Sequence, residues 1–180
     1  MKKNILIFGL TSGLILSVFI ILFTWLGEKY PKYAHSEVTG YAAMIIAFSF
    51  IFVGVKNFRD KYNHGIVSFG KAFRIGLGIT LIASTLYVIA WMIAFYIFIP
   101  DFMEKYADHL ILKAQDSGVS PAALTKKVAE INNMRQLYKN PLFVALFTYL
   151  EVLPVGIIIS LLTAFILRRR QPRAGVQIAA

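Results

Sequence analysis

The chain has 180 residues, 58% of them hydrophobic and 14% aromatic, with only 16% charged and a mean hydropathy of +0.66. Soluble domains carry about 25% charged residues, so this composition excludes an ordinary water-soluble globule. The net charge of +10 and the absence of cysteine further exclude an acidic scaffold, a disulfide-stapled fold and any thiolate chemistry.

The first uncharged apolar run is Ile5 to Leu26, preceded by Lys2 and Lys3. It is longer than a signal-peptide core, and the following GEKYPKYAHS has no small-residue cleavage site, so a retained membrane helix is expected. The second run covers about Val38 to Val55, the third Ile75 to Ile99, and the fourth Leu142 to Leu167. Each approaches or exceeds the roughly 20 residues that a helix needs to cross about 30 Å of hydrocarbon. None shows the strict alternation of a barrel strand, so the expected fold is all-α, a four-transmembrane-helix bundle forming a single membrane domain.

Orientation follows from Lys and Arg near the helix ends, which favour the cytoplasm. One side holds Lys2, Lys3, Lys56, Arg59, Lys61, Lys71, Arg74, Arg168, Arg169, Arg170 and Arg173, with Asp60 its sole acid. The other side is nearly balanced, because its lysines and Arg135 face Glu28, Glu37, Asp101, Glu104, Asp108, Asp116 and Glu130. The expected location is a bacterial cytoplasmic membrane with both termini cytoplasmic. This one-sided distribution also accounts for the basic charge without a nucleic-acid partner. His35, His64 and His109 fall one to each connection and no pair has ligand spacing, so neither metal nor cofactor is expected.

In the second connection, Asn63, His64 and Gly65 signal a turn, and Ile66, Phe69 and Phe73 interleave with Lys71 and Arg74 in an amphipathic lead suited to the headgroup region. The third connection, 100–140, reads as an extracytoplasmic helical hairpin. Asp101 and Glu104 have capping-box spacing, and Ser120 followed by Pro121 marks a second helix start. In that second helix Leu124, Val128, Ile131, Met134 and Tyr138 form one apolar stripe. Its expected cover is Phe102, Met103, Tyr106 and Leu110 of the first helix; the alternatives are a protein partner or the membrane surface.

The succession GYAAMIIAFSFIFVGVKNFRDKYN, VSFGKAFRIGLGITLIAS, IPDFMEKYA and YKNPLFVALFTYLEVLPVG resembles DUF4199, a domain-of-unknown-function family of small bacterial membrane proteins. The resemblance covers nearly the whole chain and implies a four-helix membrane protein. It implies no activity, substrate or site residue.

Helices in lipid are held by close packing and hydrogen bonds, so small residues four apart mark contact faces. Candidates for helix packing are Gly9 and Gly13 on the first span, Gly76, Thr80 and Ser84 on the third, and Gly156 and Ser160 on the fourth. The fourth span also contains the one charge in any of the four runs, Glu151, three residues before Pro154. Nine residues inside Leu142 at 1.5 Å per residue puts Glu151 about 14 Å deep, near the midplane. Ser17, Ser49 and Tyr87 fall at similar depth, defining a candidate intramembrane polar layer with Glu151 and Pro154. The layer has no cation, so Glu151 is expected to be protonated at neutral pH and hydrogen-bonded inside the bundle.

A single carboxyl without a second acid, a nucleophile or a base does not make a catalytic constellation, so no enzyme is expected. The leading expectation is a membrane module that engages a protein partner, or a second copy, through its bundle face or its external hairpin. The alternative is a small proton-coupled carrier, dimeric to supply the missing half of a repeat, using Glu151.

Overall fold

The computed structural model describes residues 1–29 and 37–169. His35, Arg170 and Arg173 lie outside the described residues. Among the described residues six α-helices follow one another: α1 (Lys2–Lys29), α2 (Glu37–Asn57), α3 (Phe69–Ile93), α4 (Phe102–Asp116), α5 (Pro121–Leu137) and α6 (Pro141–Leu167). A π-helical turn extends α2 over Phe58–Tyr62, and another extends α3 over Ala94–Phe98. The described residues contain no strand. Four of the described segments are long and apolar enough to cross a membrane: Lys2–Gly27, Val38–Tyr62, Phe69–Phe98 and Pro141–Leu167. The protein is therefore a four-transmembrane-helix bundle.

α3 is the hub of this bundle. It packs along α1 on one side and α6 on the other, while α2 closes the ring by touching α1, α6 and α3 itself. Leu16, Phe48, Ile51, Ile75, Ile79 and Val152 are fully buried where the four meet. Lipid tails are as apolar as these side chains, so burial alone gives little drive to assemble, and contact distance decides the packing. Glycine supplies that closeness at each seam. A methyl added at Gly13 would stand 2.6 Å from Leu86 Cδ1 on α3, and one at Gly54 of α2 would stand 2.7 Å from Ile79 Cδ1.

The α3–α6 seam is reciprocal. Gly76 of α3 receives Ser160 of α6, and Gly156 of α6 receives Thr80 of α3. The two hydroxyls that fill these notches lie 3.1 Å apart and share a hydrogen bond. Closer to the other end of the helices, Tyr149 Oη donates to Thr85 Oγ1 at 2.9 Å.

The free ends of α1 and α6 lie at the same end of the bundle as the loop between α2 and α3. Asn4 Nδ2 donates to the Gly54 carbonyl at 2.9 Å and Asn57 Nδ2 donates to Asn4 Oδ1 at 2.7 Å, tying α1 to α2. The loop turns through His64 and Gly65, both at positive φ. It is stitched by Lys71 Nζ donating to Asn63 Oδ1 at 2.9 Å and by Arg169 N donating to the Val67 carbonyl at 2.9 Å. Phe69 and Phe73, read from the sequence as a headgroup-level lead, form the opening turns of α3 and stack on one another at 6.3 Å.

At the opposite end, α4 and α5 form a hairpin that turns at Gly118, whose φ is +65°. Ser120 caps α5 by accepting from Ala123 N, and Asn140 caps α6 by accepting from Leu142 N. Asp101 makes no side-chain cap bond, so the expected capping box is not formed. Glu104 is instead held by Arg135 Nε at 3.1 Å, and Asp108 accepts from the same guanidinium at 2.7 Å. The apolar stripe of α5 is covered from within only toward its C-terminal end, at Ile131, Met134 and Tyr138, and Leu124 and Val128 lie outside that core. Ile131 is buried with Met103 and Ala107 of α4, and this small core rests on Phe95 of α3 and Val144 of α6.

Gly156→Ala is expected to overpack the α3–α6 seam and cost about 1–3 kcal/mol. Thermal unfolding in detergent should show that loss, its partial recovery in Gly156→Ala/Thr80→Ala, and no loss for Gly40→Ala, where a methyl meets nothing within 4 Å.

Candidate functional site at Glu151

α6 turns one stripe inward, comprising Val144, Thr148, Val152, Gly156, Ser160 and Thr163. Its four-residue spacing fixes the direction of everything between. Glu151 precedes Val152 by about 100° of helical turn and lies on the exposed side with Phe147, Pro154 and Ile158. It stands ten residues from Pro141, about 15 Å along the helix, and is exposed at the bundle surface. It makes no hydrogen bond or ion pair with any described residue. Pro154 has no N–H for the carbonyl of Leu150, and Leu150 is itself 69% exposed. The turn from Leu150 to Pro154 thus carries a carboxyl and a carbonyl that has no N–H four residues on.

The expected polar layer is divided between two faces. Tyr87 is buried at 7% exposure within the bundle and lies within electrostatic range of the Glu151 carboxyl. Ser17 is half-buried at the α1–α3 seam, donating to Gly13 O at 2.8 Å and to Leu86 O at 3.4 Å. Ser49 is exposed on the outside of α2 and bonds its own helix at Ile46 O. Ser49 and Ser17 therefore do not converge on Glu151, whereas Tyr87 and Tyr138 lie within its electrostatic range. Tyr138, just past α5, stacks on Phe147 at 5.7 Å, one turn from Glu151. Burial first, then the Glu151 carboxyl and Tyr106, holds the Tyr138 hydroxyl above the ordinary phenol range.

The packing candidates Gly9, Gly13, Gly76, Thr80, Ser84, Gly156 and Ser160 are all buried. Ser84 Oγ has no hydrogen-bond partner among the described residues. Polar residues that sequence reasoning passed over also cross between helices: Ser12 Oγ donates to Ala47 O at 2.7 Å, and Asn4 bridges α1 to α2. Asn4 was masked by the polar run Lys2–Lys3, and Ser12 by its glycine neighbour. An open cleft of about 390 Å³ lies toward the turn of the α4–α5 hairpin, lined by Leu110, Lys113, Lys127, Glu130 and Met134 among others, and belongs to a different end of the molecule from Ser12 and Asn4. Among the described residues no group of three or more acids and histidines is placed to hold a metal ion.

A family model described as "Protein of unknown function (DUF4199)" matches residues 7–169. The chain belongs to the DUF4199 family. No curated protein and no solved structure matches it. The region matched to DUF4199 takes in Glu151, Pro154 and the reciprocal α3–α6 seam, and leaves Asn4 outside.

The geometry separates two polar residues of this DUF4199 chain by their work. Asn4→Leu is expected to cost about 1–3 kcal/mol by stranding Asn57 and the Gly54 carbonyl. Glu151→Leu should leave the isolated bundle within about 0.5 kcal/mol of wild type. Denaturant titration of the detergent-solubilised monomers checks both.

Proposed function

We propose that this protein is a non-enzymatic, multi-pass module of a bacterial cytoplasmic membrane that engages a protein partner through the outer bundle face around Glu151. One observation carries the reading: a carboxyl on the exposed side of a membrane-spanning helix, with no hydrogen bond or ion pair to any described residue. Lipid covers leucine and phenylalanine at no cost, but it offers a mid-depth carboxyl no hydrogen-bond partner. Ile131, Met134 and Tyr138 of the α5 stripe have their cover in the core beneath the hairpin, whereas the α6 face carries an unmet polar requirement. Both termini are proposed to be cytoplasmic, on the strength of the basic residues at that end of the bundle.

A carrier remains a second reading because Glu151 lies in electrostatic range of Tyr87, a residue inside the bundle. The two differ in what Glu151→Gln does, since an amide keeps hydrogen bonding and cannot carry a proton. The module reading expects unchanged proton flux in vesicles at wild-type abundance; loss of a pH-dependent flux would replace it with the carrier. Orientation is checked by Gln115→Cys in the hairpin, the only thiol in the chain. An impermeant maleimide should label it in intact spheroplasts, and labelling only after lysis would reverse the topology.

A further inference from the structure

We infer that the partner at Glu151 is a second copy of this chain, docked α6 against α6 about a two-fold axis along the bilayer normal. The inference rests on the reading that the outer face of α6 is an interface, and it names the occupant. A two-fold contact requires a surface complementary to itself. Within one turn, α6 carries the Glu151 carboxyl, which donates one hydrogen bond when protonated, and the Leu150 carbonyl, which lacks its helical donor because position 154 is proline.

Two copies facing each other present two donors and two acceptors at one height. Each Glu151 then donates to the other chain's carboxyl or to its freed carbonyl, and no cation is needed. None is on offer from this chain, since the four apolar runs hold no Lys, Arg or His and Glu151 is their single charge. The flanking side chains suit such a contact. Phe147 and Ile158 lie one and two turns away on the same face, 39% and 56% exposed. A partner with a basic membrane helix would also meet Glu151, but it requires an ionised carboxyl facing hydrocarbon before assembly, which the two-copy contact avoids.

The test uses the full chain in native membranes, which its lack of cysteine makes direct. Single cysteines are placed at Leu150 and Ile158 on the outer face of α6, and at Leu14 on the outer face of α1, where exposure is 59%. Mild oxidation should give a covalent species of twice the 20.3 kDa chain from the two α6 positions and little from Leu14→Cys. Adding Glu151→Leu should lower the α6 yield about five-fold, the equivalent of one interhelical hydrogen bond near 1 kcal/mol. Glu151→Gln, whose amide both donates and accepts, should keep most of it.

Equal dimer yield from Leu14→Cys, or a yield indifferent to Glu151→Leu, overturns the inference. A photocrosslinker at Leu150 distinguishes its failure from that of the parent reading. Adducts at a mass other than twice the chain overturn the second copy and keep a protein partner. Adducts to lipid alone overturn both.

Discussion

The assembly depends on how closely α3 and α6 approach. In a bilayer, apolar side chains gain nothing by leaving lipid for protein, so helices stay together where backbones come near enough for dense contact and for hydrogen bonds shielded from water. Here each helix removes a side chain where the other inserts one. Gly76 makes room for Ser160, Gly156 makes room for Thr80, and the two inserted hydroxyls bond to each other. Because α3 also holds α1 through Gly9 and Gly13, one seam registers the next. The direction of every side chain on α6, Glu151 included, follows from which stripe that seam turns inward.

That dependence explains why Glu151 faces out. Gly156 and Ser160 must meet α3, Val152 and Thr148 continue the same line, and a residue one position before Val152 is carried about 100° off it. Proline at 154 sits on the same outer side, where its ring displaces no packing inside the bundle and its missing N–H frees a carbonyl on the face that already carries the acid. A packing requirement inside the bundle thus sets both the acid and the proline off the buried stripe. The tyrosines nearest to Glu151 come from other elements, Tyr87 from α3 and Tyr138 from the end of α5, so the hairpin is coupled to the same neighbourhood through the Tyr138–Phe147 stack.

The four spans were legible because length and hydropathy alone announce a membrane helix. The glycine pairs were legible because close approach needs a small residue at a regular interval. What was not legible is the face a given side chain occupies. On α2, Ala43, Met44, Ala47 and Phe48 are buried while Ile45 and Ile46 are exposed, yet both faces are equally apolar, since lipid and core select the same residues. With no contrast to read, depth alone sets Ser49 level with Glu151, and depth does not specify direction. The hairpin was easier, because α4 and α5 mix charged with apolar residues, and that contrast makes an apolar stripe visible. The Asp101–Glu104 spacing misled for a third reason: Arg135, 31 positions after Glu104, competes for its carboxylate and wins.

The outward direction of Glu151 is the claim on which the rest of the functional account stands. It is tested most directly by scanning single spin labels along α6 from Phe147 to Ile158, in bilayers dilute enough to hold one chain apart from another. Collision with dissolved oxygen, which concentrates in lipid, is read at each position. The account predicts maxima at 147, 151, 154 and 158 and minima at 148, 152 and 156. A minimum at 151, in phase with Val152, would contradict it and return the carboxyl to the interior.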